Sequence, residues 1–403
     1  MPVQPEGELP PIDGELPAGS LAAWGERAFG IYVHVPFCSS RCGYCDFNTY
    51  TTTELAGTAG VDSATFDARL RAEISIARRV LGDREVPVST VFLGGGTPTL
   101  LRPQALGGIL AGVDDAFGLV PGAEVSIEAN PDSVDARSLG ELRSAGFTRV
   151  SFGMQSAAPH VLKVLDRTHK PGGALRAVEL ARAAGFDMVS LDLIYGTPGE
   201  SLADWGITLD AALASGVGHI SAYALIVETG TRLAAAVRRG IVAAPDDDLM
   251  ADMYELADER LNAAGLSWYE LSNWAAPGHE CQHNLAYWRG SDWWGVGPGA
   301  HSHVGGTRWW NVKHPGAYVQ RLADGLSPAI GREMLDPRTR RFEALMLGIR
   351  MVSGIAVAEL EPEQAQRLPN MVSRGLGTVS GGRFVLTRPG RLLADAVLRE
   401  LVA

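Results

Sequence analysis

Six short apolar, β-branched runs alternate with helical segments from residue 30 to about 226. No other feature restricts the fold as much. The runs are IYVHVPF (31–37), TVFLGGG (90–96), EVSIEAN (124–130), RVSFGMQS (149–156), MVSLDLIYG (188–196) and HISAYALIV (219–227). Between them lie DARLRAEISIARRVL (67–81), SLGELRSAG (138–146), GGALRAVELARAAG (172–185) and SLADWGITLDAALASG (201–216). Each of the last three ends near a glycine, a common helix stop. Such alternation, with nearly continuous apolar strands, predicts an α/β fold on a parallel sheet. Six units predict a partial, TIM-like (β/α)6 barrel, with a doubly wound open sheet as the rival.

The polar and glycine signals fall just after these strands. A cysteine cluster follows the first run and GGGTP closes the second. Glu128 ends the third, Gln155 the fourth and Asp192 the fifth. Each alone reads as a turn glycine, a capping aspartate or a surface glutamate. Five at the same end predict a site, because strand C-termini carry the chemistry of parallel α/β folds.

The rest of the chain divides by composition. Residues 1–28 are acidic and rich in Pro and Gly, and are expected to form a flexible arm. Residues 29–240 hold the barrel. Residues 241–329 form an α+β extension; within it, 265–320 carries seven of the nine Trp and five of the nine His. Residues 330–403, with RRFEALMLGIRMV (340–352) and RFVLTRPGRLLADAVLREL (383–401), predict a small helical, winged-helix-like tail domain. The 35 Lys and Arg against 46 Asp and Glu give a net charge of −11 over 403 residues, which argues against a nucleic-acid binder. No apolar run approaches the about 18–20 residues of a membrane span, and no basic, apolar leader opens the chain. A cytoplasmic protein, not integral to a membrane, is expected. Reduced thiols in that compartment act as ligands or nucleophiles rather than disulfides.

Three of the four cysteines, Cys38, Cys42 and Cys45, fall in CSSRCGYC. Three thiolates on one tight loop suit three corners of an iron–sulfur cubane and leave one iron open. Zinc competes, but a structural zinc takes four ligands, usually in two separated pairs. Here only His34 or Cys281 offers a fourth. Redox thiols are the third reading.

This spacing, with an aromatic just before the third cysteine, resembles the radical S-adenosylmethionine superfamily. The resemblance implies a [4Fe–4S] cluster on Cys38, Cys42 and Cys45. Its open iron would bind the amino and carboxylate groups of S-adenosylmethionine, and one electron would cleave the sulfonium to methionine and a 5′-deoxyadenosyl radical. Tyr44 and the stretch GGGTPT fit the same picture, since glycines let backbone approach a ligand closely. YVHVPFCSSRCGYCDF, GGGTPTL, SIEANP, RVSFGMQS, LDRTH and LDLIYGTPGES follow one another as in the coproporphyrinogen dehydrogenase branch, which includes the HemW-type heme chaperones. The resemblance spans about residues 30 to 400. It implies that Tyr32, Tyr44, Gly95, Gly96, Thr97, Glu128, Gln155, Arg167 and Asp192 line the S-adenosylmethionine site. Carboxylates there would accept from its amino group or ribose, and Arg would bind its carboxylate. In that branch some of these positions serve a second S-adenosylmethionine.

Two features separate the members of the branch. Its dehydrogenases carry a fourth cysteine two residues after the third, where this chain has Phe47, and a longer N-terminal arm. The stretch HNLAYW (283–288) matches the H-N-x-x-Y-W motif of HemW-type chaperones. The resemblance therefore implies heme as cargo, passed to acceptor proteins, with the radical decarboxylation of coproporphyrinogen III as the alternative. His283, Tyr287 and Trp288 are the heme candidates. Trp274, Trp293 and Trp294 are further aromatic surface, and His279, Cys281, His301 and His303 are alternative iron ligands. A packed lid over the barrel is the competing reading of the same residues. An electron donor such as a flavodoxin or ferredoxin, and a homodimer, complete the expected partners.

Overall fold

The computed structural model describes residues 6–167 and 172–403. The expected parallel strands are present: β1 (Phe29–Val35), β2 (Val88–Gly95), β3 (Leu119–Ala129), β4 (Arg149–Gln155), β5 (Met188–Tyr195) and β6 (His219–Ala224). They pair in that order, all parallel. The intervening helices are α1 (Phe66–Leu81), α2 (Pro103–Phe117), α3 (Ala136–Ser144), α4 (Gly173–Ala183) and α5 (Leu202–Ala214). Two start on capping boxes, Asp135 with Ser138 and Ser201 with Asp204. Leu70, Ile74, Ile109, Leu142 and Leu209 on these helices are buried against the apolar face of the strands.

The barrel is partial because its two edges are taken by the extension. Helices α6 (Arg232–Arg238) and α7 (Asp247–Ala263) lead into β7 (Ser267–Glu270) and β8 (Asn273–Ala275). Strand β8 pairs antiparallel to β6. A short helix α8 (Gln282–Trp288) precedes β9 (Asp292–Val296), which returns to lie parallel to β1. Strands β10 (His301–Val304), β11 (Thr307–Asn311) and β12 (Ala329–Met334) continue antiparallel from β9. The order across the sheet is β12-β11-β10-β9-β1-β2-β3-β4-β5-β6-β8-β7.

The tail packs four helices, Pro337–Gly348, Pro362–Ser373, the short Arg388–Leu392 and Ala394–Val402, on a three-stranded sheet. It has its own apolar core around Ile349, Met371, Phe384 and Leu401. It is tied to the barrel by Asp258 of α7, which receives Arg388, Arg391 and the Trp274 indole N–H.

Of the segment expected as a flexible arm, residues 1–5 lie outside the described residues, and 6–28 lie along the sheet. Glu8 pairs through its backbone with Arg332, Ser20 bonds Thr307 at 2.7 Å, and Trp24 is buried edge-on against Phe29. Composition marks this stretch as unable to form a core of its own. It does not report that an existing edge strand, β12, offers backbone partners.

Candidate functional site

The cysteine loop rises from the C-terminal end of β1. Its base is closed by Phe37–Cys38 pairing in parallel with Tyr50–Thr51. The glycine stretch after β2 locks beside it: Gly96 N–H donates to the Val35 carbonyl (2.8 Å) and Thr97 N–H to that of Phe37 (2.7 Å). This approach requires glycine. Gly95 sits at φ +109°, where a Cβ would meet the His34 ring at 2.6 Å, and a Cβ on Gly96 would strike the Phe37 carbonyl. The loop is further held by Gly43, which donates to Leu165 O (3.2 Å) and accepts from Leu233 N (2.9 Å).

The three thiols influence one another. Burial first, then Cys45, pushes the Cys38 thiol up to about 11, partly offset by hydrogen bonds with Thr49 and Thr97. Burial likewise raises Cys45. Arg167 donates from Nη1 to Cys42 Sγ (3.3 Å) and from Nη2 to the Gly153 carbonyl (2.9 Å). An arginine against a thiol suits a thiolate ligand set, since thiolate is the form that binds iron or zinc. Among the described residues no three His, Cys, Asp or Glu side chains close around a single ion. A four-iron cluster makes no such demand, because each thiolate takes a different iron. The donor set therefore fits that cluster.

The other predicted residues face the same mouth. Glu128 Oε2 accepts from Gly95 N–H (3.0 Å). Burial, then the neighbouring Asp192, raises its carboxyl to about 8. Burial also raises Asp192, which accepts from Ser151 Oγ (2.9 Å). Two recessed carboxyls facing each other call for a cationic ligand. S-adenosylmethionine, with its ammonium and sulfonium groups, is such a ligand. Gln155 is buried at φ +65°, a left-handed position that a non-glycine residue holds only where its surroundings fix it. Tyr44 packs with Val161, Ile194 and Leu225 on the rim. In the LDRTH motif, Thr168 and His169 lie outside the described residues.

Tyr32 is set by residues that the motifs did not mark. His34 Nε2 lies 2.9 Å from the Asn48 carbonyl, which only accepts, so that nitrogen carries the proton. His34 Nδ1 is then the acceptor for the Tyr32 hydroxyl at 3.0 Å. Burial keeps this histidine neutral. The Tyr32 oxygen thus keeps its lone pairs for a donor inside the barrel. The sequence marks His34 only as a possible fourth metal ligand; the hydrogen-bonded ring nitrogens remove it from that role.

The heme candidates lie at the opposite end of the barrel. Helix α8 plugs its floor. Glu124 of β3 accepts from the backbone N–H of Gln282 (3.1 Å) and His283 (3.0 Å). Arg149 of β4 pairs with Glu124 (3.0 Å) and donates to the carbonyls of His279 (2.8 Å) and Glu280 (3.1 Å). His283 is 2% exposed. Its Nδ1 bonds Thr90 Oγ1 (2.8 Å), its Nε2 bonds the Tyr287 hydroxyl (2.9 Å), and its ring stacks on Phe92. Burial lowers it to about 3. In this closed floor it has no lone pair for iron. Trp274 and Trp294, expected as heme surface, are buried. The reason is that the Trp274 N–H reaches Asp258 (2.9 Å) and Trp294 packs on Trp309 inside the core. Tyr287, Trp288 and Trp293 remain half-buried at the floor's outer face, with Tyr287 and Trp293 edge-to-face at 4.7 Å. Of the alternative ligands, Cys281 and His303 are buried and His301 is exposed.

A partial parallel barrel with a three-cysteine loop at its mouth defines the class, and residues 32–212 match the model of the radical SAM superfamily. Residues 335–393 match that of the HemN C-terminal domain. The chain is 52% identical to the protein named heme chaperone HemW of Mycobacterium tuberculosis (strain ATCC 25618 / H37Rv), over 96% of this chain and 98% of that one. It is 34% identical to the bovine radical S-adenosyl methionine domain-containing protein 1, mitochondrial, over 89% and 75%. The structure of coproporphyrinogen III oxidase (HemN) from Escherichia coli superposes with a TM-score of 0.80 at 22% identity, covering 95% and 92%, a likeness of fold. The chain belongs to the HemW family of the radical SAM superfamily.

Proposed function

We propose that this chain is a heme chaperone that binds heme and passes it to acceptor proteins, on a core carrying a [4Fe–4S] cluster and S-adenosylmethionine. The full-length identity to a relative named heme chaperone HemW carries this reading. Cys38, Cys42 and Cys45 hold the cluster, and their loop is positioned by Gly96 and Thr97. Glu128, Asp192 and the Tyr32 oxygen receive the cationic end of S-adenosylmethionine, and Arg167 its carboxylate. When bound, the cluster supplies an electron to the sulfonium; a flavodoxin or ferredoxin would provide it. Heme contacts the half-buried Tyr287, Trp288 and Trp293, whose exposed aromatic edges and faces suit an apolar plate. The protein works in the cytoplasm, as a homodimer.

The alternative is oxygen-independent decarboxylation of coproporphyrinogen III. Phe47 stands where that branch's dehydrogenases carry a fourth cysteine, and its side chain is exposed. The test is a heme titration of the anaerobically reconstituted protein, beside coproporphyrinogen turnover. Saturable heme binding, followed by loss of the Soret band to an apo-acceptor, supports the chaperone. Decarboxylated porphyrin without heme binding replaces it with the enzyme.

A further inference from the structure

Asn48 lies three residues after Cys45, and no motif discussed above includes it. It is buried, and its side-chain amide joins two distant parts of the molecule. Its Nδ2 donates to the Pro298 carbonyl (2.9 Å) and to the Lys313 carbonyl (2.8 Å), both in the extension. Its own carbonyl accepts from His34 Nε2, and its Oδ1 from the Tyr50 hydroxyl (3.3 Å). The partner loop is fitted around it: at Gly299, φ +75°, a Cβ would stand 2.6 Å from Asn48 Nδ2. That loop is fixed in turn by Glu73, which accepts from Gly297 N–H (2.7 Å) and the Tyr318 hydroxyl (2.6 Å).

We propose that Asn48 is a positioning residue which clamps the cysteine loop to the extension and, through His34, orients the Tyr32 hydroxyl at the ligand end of the barrel. Only an amide fits here. Two carbonyls facing one side chain require two N–H donors, and Asn supplies both from one nitrogen. Aspartate of the same shape would present an oxygen to two carbonyls. The link explains why a segment about 250 residues further along the chain sits against the cluster loop. The extension then governs how firmly the loop holds its three thiols.

This inference rests on the cluster and S-adenosylmethionine of the proposed function, and its test separates the two. The parent is reconstituted anaerobically beside Asn48→Asp, Asn48→Ala and Ser302→Ala. Ser302 bonds Gly295 within the extension and does not touch the loop. Iron per chain, the electron paramagnetic resonance of the reduced cluster with and without S-adenosylmethionine, and thermal unfolding are measured. The Asn48 variants are expected to hold less than half the parent's iron, or to give an altered resonance, while unfolding no earlier than Ser302→Ala. Asn48 variants with parental iron and resonance overturn the proposal. A parent that takes no cluster overturns the functional reading instead. If Asn48 variants fail to fold, His34→Gln tests the second half of the link. It should keep its iron and weaken S-adenosylmethionine about fivefold, the scale of one lost hydrogen bond. Unchanged affinity there overturns the link to Tyr32.

Discussion

Arg149 Nε lies 3.0 Å from Glu124 Oε2, and the pair closes the floor of the barrel beneath the predicted ligand site. The two residues sit on neighbouring strands, β3 and β4, and together grip the backbone of the segment that leads into HNLAYW. Arg149 is 2% exposed, so this is a buried pair.

Removing one partner of a buried pair leaves an uncompensated charge. Arg149→Met is therefore expected to lose about 3 to 5 kcal/mol of unfolding free energy in a denaturant titration. Arg149→Met combined with Glu124→Leu should recover part of that loss, because the stranded carboxylate is gone. A single variant as stable as the parent would show that α8 is held by other contacts.

Glu128 makes the mouth of the barrel sensitive to pH. Its carboxyl is raised to about 8 from an ordinary 4.5 by burial and then by Asp192. In the unfolded chain it ionises near 4.5, and in the ligand-free fold it stays protonated to about 8. The unfolded state therefore binds fewer protons between those values, and its contribution to stability falls as pH rises. Glu128→Gln should be more stable than the parent at pH 8, with the gap closing towards pH 5. Arg167 offsets part of the rise at Asp192 and remains charged throughout. Binding of S-adenosylmethionine to the ionised carboxyl should strengthen with pH by at most about tenfold per unit up to pH 8. The Gln variant should show little such dependence. Identical pH profiles for parent and variant would remove Glu128 from the site.

One of the contacts that fasten the tail is an ion pair that a single substitution can cut. Asp258 is buried and takes Arg391 through two bonds of 3.0 and 2.7 Å. Asp258→Asn should cost about 3 kcal/mol, because the buried Arg391 loses its counter-charge. The tail has its own apolar core, so the expected result is a second, earlier transition in thermal unfolding. Limited proteolysis should then cut between β12 and the first tail helix, Pro337–Gly348. A single transition at the parental temperature would contradict this.

Much of the barrel was legible because parallel strands buried on both faces read as unbroken apolar runs, and helices such as α3 and α5 carry their caps in the sequence. Glycine and acidic residues at the strand ends located the mouth for the same reason. What stayed hidden is contact between distant segments. Nothing in DWWGV announces that β9 returns to pair with β1 more than 250 residues earlier. Trp274 and Trp294 look like binding surface until Asp258 and Trp309 are seen beside them. The dense aromatics around HNLAYW fit a heme surface and a packed plug equally well. Periodicity identifies the faces of α8 but not the cavity that receives them.

The plug and the heme surface make different demands on His283, and one pair of variants separates them. His283 is held by Thr90 and Tyr287, and is neutral far below physiological pH. His283→Ala removes both bonds and a buried ring, which should destabilise the floor by about 2 to 4 kcal/mol. At a temperature where the variant stays folded, its heme complex should keep the parental Soret position, because this imidazole is not on the iron in the closed floor. Trp288→Ala with Trp293→Ala should instead weaken heme binding by about tenfold or more, by removing two half-buried aromatic faces. A Soret shift in His283→Ala would mean that the floor opens and releases the imidazole to the iron. Parental heme affinity in the double tryptophan variant would move the heme surface away from α8.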